Sequence, residues 1–125
     1  MNPSEPQPSV SPAVGLPASD EPIRDLLRAD ERLLEPHRMA SISVVHRNGV
    51  RSAAHFGSLY LTDRRLIHLN GHTSTIELSE IAELGIARHR LLLSLKDATG
   101  VILDLEHATA FRARVAAALG ALRSR

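Results

Sequence analysis

Phe56-Gly57-Ser58-Leu59-Tyr60-Leu61-Thr62-Asp63-Arg64-Arg65-Leu66-Ile67 is the stretch on which the fold turns. Leu59 and Leu61 alternate with neighbours of the opposite face, as a strand requires. Thr62 and Asp63 follow, two residues whose side chains hydrogen-bond their own backbone and fix a tight turn. Arg65-Leu66-Ile67-His68-Leu69 then reads as a returning strand. Gly57, inside the first of these strands, predicts a bulge or bend. Arg64 and Arg65 point to opposite faces, so at least one must be exposed or paired.

The same period of two extends in both directions. Upstream, Ala40, Ile42 and Val44 alternate with Ser41 and Ser43 from Met39 onward, and Arg47-Asn48-Gly49-Val50 supplies a hairpin turn before the strand from Ala53 to Leu61. Downstream, Asn70-Gly71 turns the chain into Thr73–Leu78, and further strands are predicted over Ile81–Ile86 and Arg90–Lys96. Asp97-Ala98-Thr99-Gly100 closes a hairpin onto Val101–Leu105, with Leu91, Leu93, Val101 and Leu103 inward and Leu92 and Ile102 outward.

Both ends change to helical spacing. Phe111, Val115, Ala118, Leu119 and Leu122 form one apolar stripe, with Thr109 as the expected N-cap and Arg112, Arg114 and Arg123 off the stripe. A short helix is expected after Ser19 or Asp20, with Pro22 in its first turn and an end near Ala29–Glu31. Glu35-Pro36 blocks its continuation. The fold class is therefore mainly β with a C-terminal α-helix. Seven antiparallel strands form a bent barrel or sandwich, one amphipathic helix caps it, and a short helix precedes it.

Residues 1–21 hold Pro3, Pro6, Pro8, Pro12 and Pro17, and Glu5, Asp20 and Glu21 without a single Lys or Arg. Such a segment cannot bury enough apolar surface to order itself, so a disordered leader is expected there and a folded domain over 22–125. Three of the 14 acids fall in the leader, which leaves the domain with all 15 basic groups against 11 acids. The net +1 thus divides into −3 and +4. Fourteen of the cations are Arg; forked contacts to anions would exploit that, but a compositional bias shared with the many Ala explains it as well.

The absence of Cys excludes disulfides, thiolate metal sites and Cys nucleophiles. No apolar run is long enough to span a bilayer, and the start lacks the pattern of a signal peptide, so a cytosolic location is expected. Three aromatics, Phe56, Tyr60 and Phe111, provide no stacking platform for a nucleic acid.

The local sequence resembles the pleckstrin-homology-like superfold, in particular its GRAM-type and bacterial members. Residues 56–67 are similar to a Gly-x-Leu-x-Leu-Thr-x-x-Arg-Leu segment of that family. Leu27-Arg28-Ala29-Asp30-Glu31-Arg32-Leu33-Leu34 is similar to its lead-in, with Asp30 where Gly is usual, and Ile76-Glu77-Leu78-Ser79-Glu80-Ile81 to its step between fourth and fifth strands. The resemblance covers roughly residues 25–122. It implies a non-catalytic interaction module.

Candidate chemistry is sparse. No nucleophile elbow, P-loop or dinucleotide fingerprint occurs, so no catalytic residue and no cofactor are expected. His68 and His72 flank one turn without an evident third ligand, and His46, His55, His89 and His107 are scattered, so no metal site is expected. The resemblance implies an anionic-ligand reading of the open-end loops through Arg47, Arg51, His68 and His72, which would place the protein peripherally on an anionic membrane. The favoured expectation is a protein partner or a homo-oligomer. It would bind through strand edges, the helix-strand groove, or the outer face carrying Leu92 and Ile102.

Overall fold

The computed structural model describes residues 21–125, and the chain divides into two compact units, residues 1–30 and 31–125. The expected leader lies, but for Glu21, outside the described residues. In the first unit, α1 (Glu21–Leu26) is a single short helix, closed by a hydrogen bond from the Leu27 N–H to the Ile23 carbonyl.

The second unit is one seven-stranded antiparallel sheet and a C-terminal helix. Its strands are β1 (Leu33–Val45), β2 (His55–Thr62), β3 (Arg65–Leu69), β4 (Thr73–Glu77), β5 (Ile81–Ala87), β6 (Arg90–Leu95) and β7 (Gly100–Asp104), followed by α2 (Ala108–Arg123). They lie in the order β4-β3-β2-β1-β7-β6-β5. A 3₁₀ turn (Leu78–Glu80) joins the two edge strands β4 and β5, which do not pair, so the sheet is bent and not closed into a barrel.

Alternation sorts the strands as expected. Leu91, Leu93, Val101 and Leu103 are buried, and with Ala40, Ile42, Leu59, Leu61 and Leu66 they form the core with the helix stripe Phe111, Val115, Ala118 and Leu119. Phe111 is fully buried, and the Arg38 guanidinium sits 4.8 Å above its ring, a cation–π contact at the closed end. Both Asn-Gly turns form with their glycines at positive φ, 86° at Gly49 and 94° at Gly71.

Four local expectations are corrected. β1 begins at Leu33, not Met39, and runs through Pro36; its register against β2 shifts between Leu33 and Glu35 and again between Glu35 and Arg38, where proline has no N–H to donate. Gly57 carries no bulge, since Ala40 pairs it in regular register. It is required by crowding: a Cβ there would lie 2.2 Å from the Leu69 carbonyl oxygen. α2 starts at Ala108, after His107 in the left-handed conformation (φ 56°), so Thr109 is a first-turn residue and not the cap. The chain passes from β7 into α2 through that unusual backbone. The first helix, finally, ends at Leu26, short of Ala29.

The turn between β2 and β3 is tied down by charge. Thr62 Oγ accepts the Arg64 and Arg65 N–H groups at 3.0 and 2.9 Å and donates to Glu31 Oε2 at 2.6 Å. Arg65 forks onto the same carboxylate, Nε to Oε2 at 2.9 Å and Nη2 to Oε1 at 3.1 Å. Glu31, Thr62 and Arg65 are all buried. Arg65 is thus buried and paired with a carboxylate.

Candidate functional site

The open-end loops hold a cavity of about 350 Å³. Its apolar wall comes from Ile42, Ile76 and Val101, and His55, Asn70 and His72 are among the polar residues lining it. Of the four residues expected to bind an anion here, only His72 lines it. Arg47 Nε donates to the Asp97 carbonyl at 2.8 Å, across to the β6–β7 turn. Asp97 lies well placed to hold that turn: Thr99, through its hydroxyl and its N–H, keeps the carboxyl below the usual carboxylate range. Arg51 Nε donates to Ser43 Oγ at 3.1 Å, in the cross-strand row of Ile102. The two arginines therefore engage different neighbours and do not converge.

His68 is not a loop residue at all. It lies on the inward side of β3, 1% exposed, where Gly57 has no side chain and Ala40 only a methyl. Its Nε2 is 2.8 Å from the Ala40 carbonyl, an obligate acceptor, so Nε2 carries the proton. Nδ1 must then accept, and it does so from the Asn70 side-chain amide at 2.9 Å. Burial lowers the His68 pKa from its ordinary value, partly offset by the Ala40 carbonyl, and the nearby His55 lowers it further. The sequence carried the signal: His68 shares the inward parity of Leu66.

Leu92 and Ile102 do face outward. They are direct cross-strand partners, half-buried, in the row Gly85, Leu92, Ile102, Ser43. The next row runs Ala87, Arg90, Asp104, Ser41, Phe56, with an exposed Arg90–Asp104 pair at 3.5 Å that adds little stability. Phe56 is 66% exposed and Met39 42%, two apolar residues of this face that sequence reading did not assign to it. On the Leu92 face the edge strand β5 presents Glu83 and Gly85, with the 40% exposed Ile86 on the opposite face; it has neither Pro nor Lys, and its register irregularity lies at the far end, between Ile81 and Glu83.

No group of three metal-ligating side chains occurs among the described residues, and no helix there is long and apolar enough to cross a membrane. No family model and no curated protein matches the chain. Among solved structures it is similar to the C-terminal domain of an unknown protein from Leishmania infantum. The TM-score is 0.52 at 21% identity, over 80% of this chain and 94% of that one. That likeness concerns the fold alone.

Proposed function

We propose that the chain is a non-catalytic interaction module, pleckstrin-homology-like in plan, that associates with protein through edge strand β5 and the adjoining outer face. The observation that carries this reading is the unpaired β5 edge lying directly beside the apolar Leu92–Ile102 pair. Main-chain groups along the edge supply pairing, and the apolar strip next to it supplies area, the combination that strand addition uses. The simplest occupant is the β5 edge of a second copy, since antiparallel pairing of one edge with itself is a two-fold interface and closes. Anionic-headgroup binding at the open-end loops draws less support, because Arg47 and Arg51 spend their Nε donors inside the fold and His68 is buried.

Size-exclusion chromatography with light scattering tests the reading. Wild type is expected to form a dimer in the micromolar range, and Leu92→Glu with Ile102→Lys to give a monomer with unchanged circular dichroism. A wild type that stays monomeric at every concentration ends the self-pairing version. A dimer indifferent to both substitutions removes this surface.

A further inference from the structure

A second surface lies on the far side of α2, where the helix runs beside the start of β1. Arg114, Ala118 and Ala121 share one stripe of α2, Arg125 follows just past its end, and with Leu34 they border a groove of about 320 Å³. That volume falls at the lower end of the ~300–1,000 Å³ typical of ligand clefts. The exposed methyls of Ala117 and Ala121, one turn apart, leave the groove wide enough for a backbone to come close.

Its electrostatics are layered. Two largely buried carboxylates line the groove beside the apolar residues, Glu35 with 7% and Asp63 with 11% of the side chain exposed. Both oxygens of each are engaged. Glu35 accepts from Arg38 Nη2 at 2.9 Å and from Arg114 Nη1 at 2.6 Å. Asp63 accepts the Arg32 backbone N–H at 2.9 Å, and its other oxygen lies 3.5 Å from Arg125 Nη2 and 4.0 Å from Arg32 Nε. The guanidinium groups of Arg32, Arg114 and Arg125 lie at the rim, 77%, 62% and 49% exposed. An approaching molecule therefore meets arginine N–H groups around an apolar trough, with the acids already saturated beneath them. The contacts of Asp63 to the Arg32 and Arg125 side chains are long, at 4.0 and 3.5 Å, so those two heads can turn to another anion at small cost.

We propose that this groove binds an acidic peptide segment of another protein, in which an aliphatic side chain enters the trough and flanking Asp or Glu carboxylates fork onto Arg114 and Arg125. Arginine matches a carboxylate with two parallel N–H···O bonds, which fixes orientation as well as charge. A bilayer surface fits less well, because the apolar floor is recessed between helix and strand, below the arginine heads. The groove shares no residue with the β5 edge, so the two proposals stand or fall separately.

Panning a random linear peptide library on phage against the full chain tests this, with fluorescence polarisation on the synthesised winners. The expected winners carry Asp or Glu beside an aliphatic residue and weaken steeply with salt. Arg114→Gln with Arg125→Gln should cost about tenfold per arginine, one charge-assisted pair each. Arg38 still partners Glu35 in that variant, so the fold is kept. Ala121→Trp should fill the groove and abolish binding, while Leu92→Glu leaves it intact. Neutral or basic winners, no enrichment at all, or affinity unchanged by the double substitution would each overturn the proposal. So would co-sedimentation with phosphatidylserine vesicles that depends on the same two arginines while peptides fail to bind.

Discussion

Arg65→Met is the substitution that most directly probes what holds the β2–β3 turn to the start of the domain. The Glu31 carboxylate is fully buried and receives two N–H···O bonds from Arg65 and one O–H···O bond from Thr62. Removing the guanidinium takes both of its charge-assisted bonds from that buried carboxylate, a loss that costs about 3–5 kcal/mol in buried pairs. Against a total stability of roughly 5–15 kcal/mol for a domain of ordinary size, that is a large fraction. In urea it amounts to a midpoint shift of roughly 2 M. Glu31→Leu with Arg65→Met should recover most of it. No charge remains to be desolvated, and the Thr62 hydroxyl can redirect its proton to the Arg65 carbonyl at 3.1 Å. Equilibrium urea unfolding at neutral pH reads both variants. A single variant within about 1 kcal/mol of wild type, or a double variant as unstable as the single, would refute the reasoning.

Stability should fall as pH drops below the ordinary imidazole value of 6.5, because burial lowers the folded-state pKa of His68 and the unfolded chain then binds a proton that the folded chain refuses. Above that value this contribution is fully present. His68→Gln should flatten the difference between urea midpoints at pH 7.5 and 5.5, and an unchanged difference would acquit His68. Gly57→Ala should destabilise by about 1–3 kcal/mol or more, since its Cβ would meet the Leu69 carbonyl at 2.2 Å and the Asn70 side chain at 2.9 Å. Gly120→Ala, with nothing within 4 Å of the added methyl in a helix, should stabilise by about 0.5–1 kcal/mol, and thermal denaturation separates the two glycines. Wild type and Arg47→Ala/Arg51→Ala should co-sediment equally poorly with phosphatidylserine vesicles, and salt-sensitive binding that the pair abolishes would revive the anionic reading.

What was legible in the chain was what depends on neighbours in sequence. Period-two alternation put Leu91, Leu93, Val101 and Leu103 inside, and each Asn-Gly pair delivered its glycine at positive φ. Thr62 formed the turn that its side chain favours, while the Asp63 carboxylate turned instead to the distant Arg32 N–H. Some of the misreadings came from contacts between segments far apart. The reason for Gly57 lies 12 residues away in the Leu69 carbonyl, and nothing local distinguishes that from a bulge. His107 takes a left-handed conformation at the passage from β7 into α2, which no propensity at residue 107 announces. His68 was misplaced for a different reason. Its position beside the Asn70-Gly71 turn outweighed its inward parity with Leu66, although parity decides which face a strand residue takes.

The site was less legible than the fold, and the physical reason is visible in its arginines. Charged residues in a loop look available in sequence because sequence does not show their partners. Arg47, Arg51 and Arg65 all have partners within this chain, at a carbonyl, a hydroxyl and a buried carboxylate. Arg114 and Arg125, neither singled out from the sequence as a binding residue, have partners too, Glu35 and Asp63, but keep 62% and 49% of their side chains exposed along one groove. Availability is thus set by geometry at the far end of the side chain. It follows that an arginine count for this chain predicts little about anion binding, whereas the exposed guanidiniums above Glu35 and Asp63 predict where an acidic partner would find donors. If Arg114→Gln and Arg125→Gln leave every acidic peptide bound as before, exposure at the rim is not the quantity that matters.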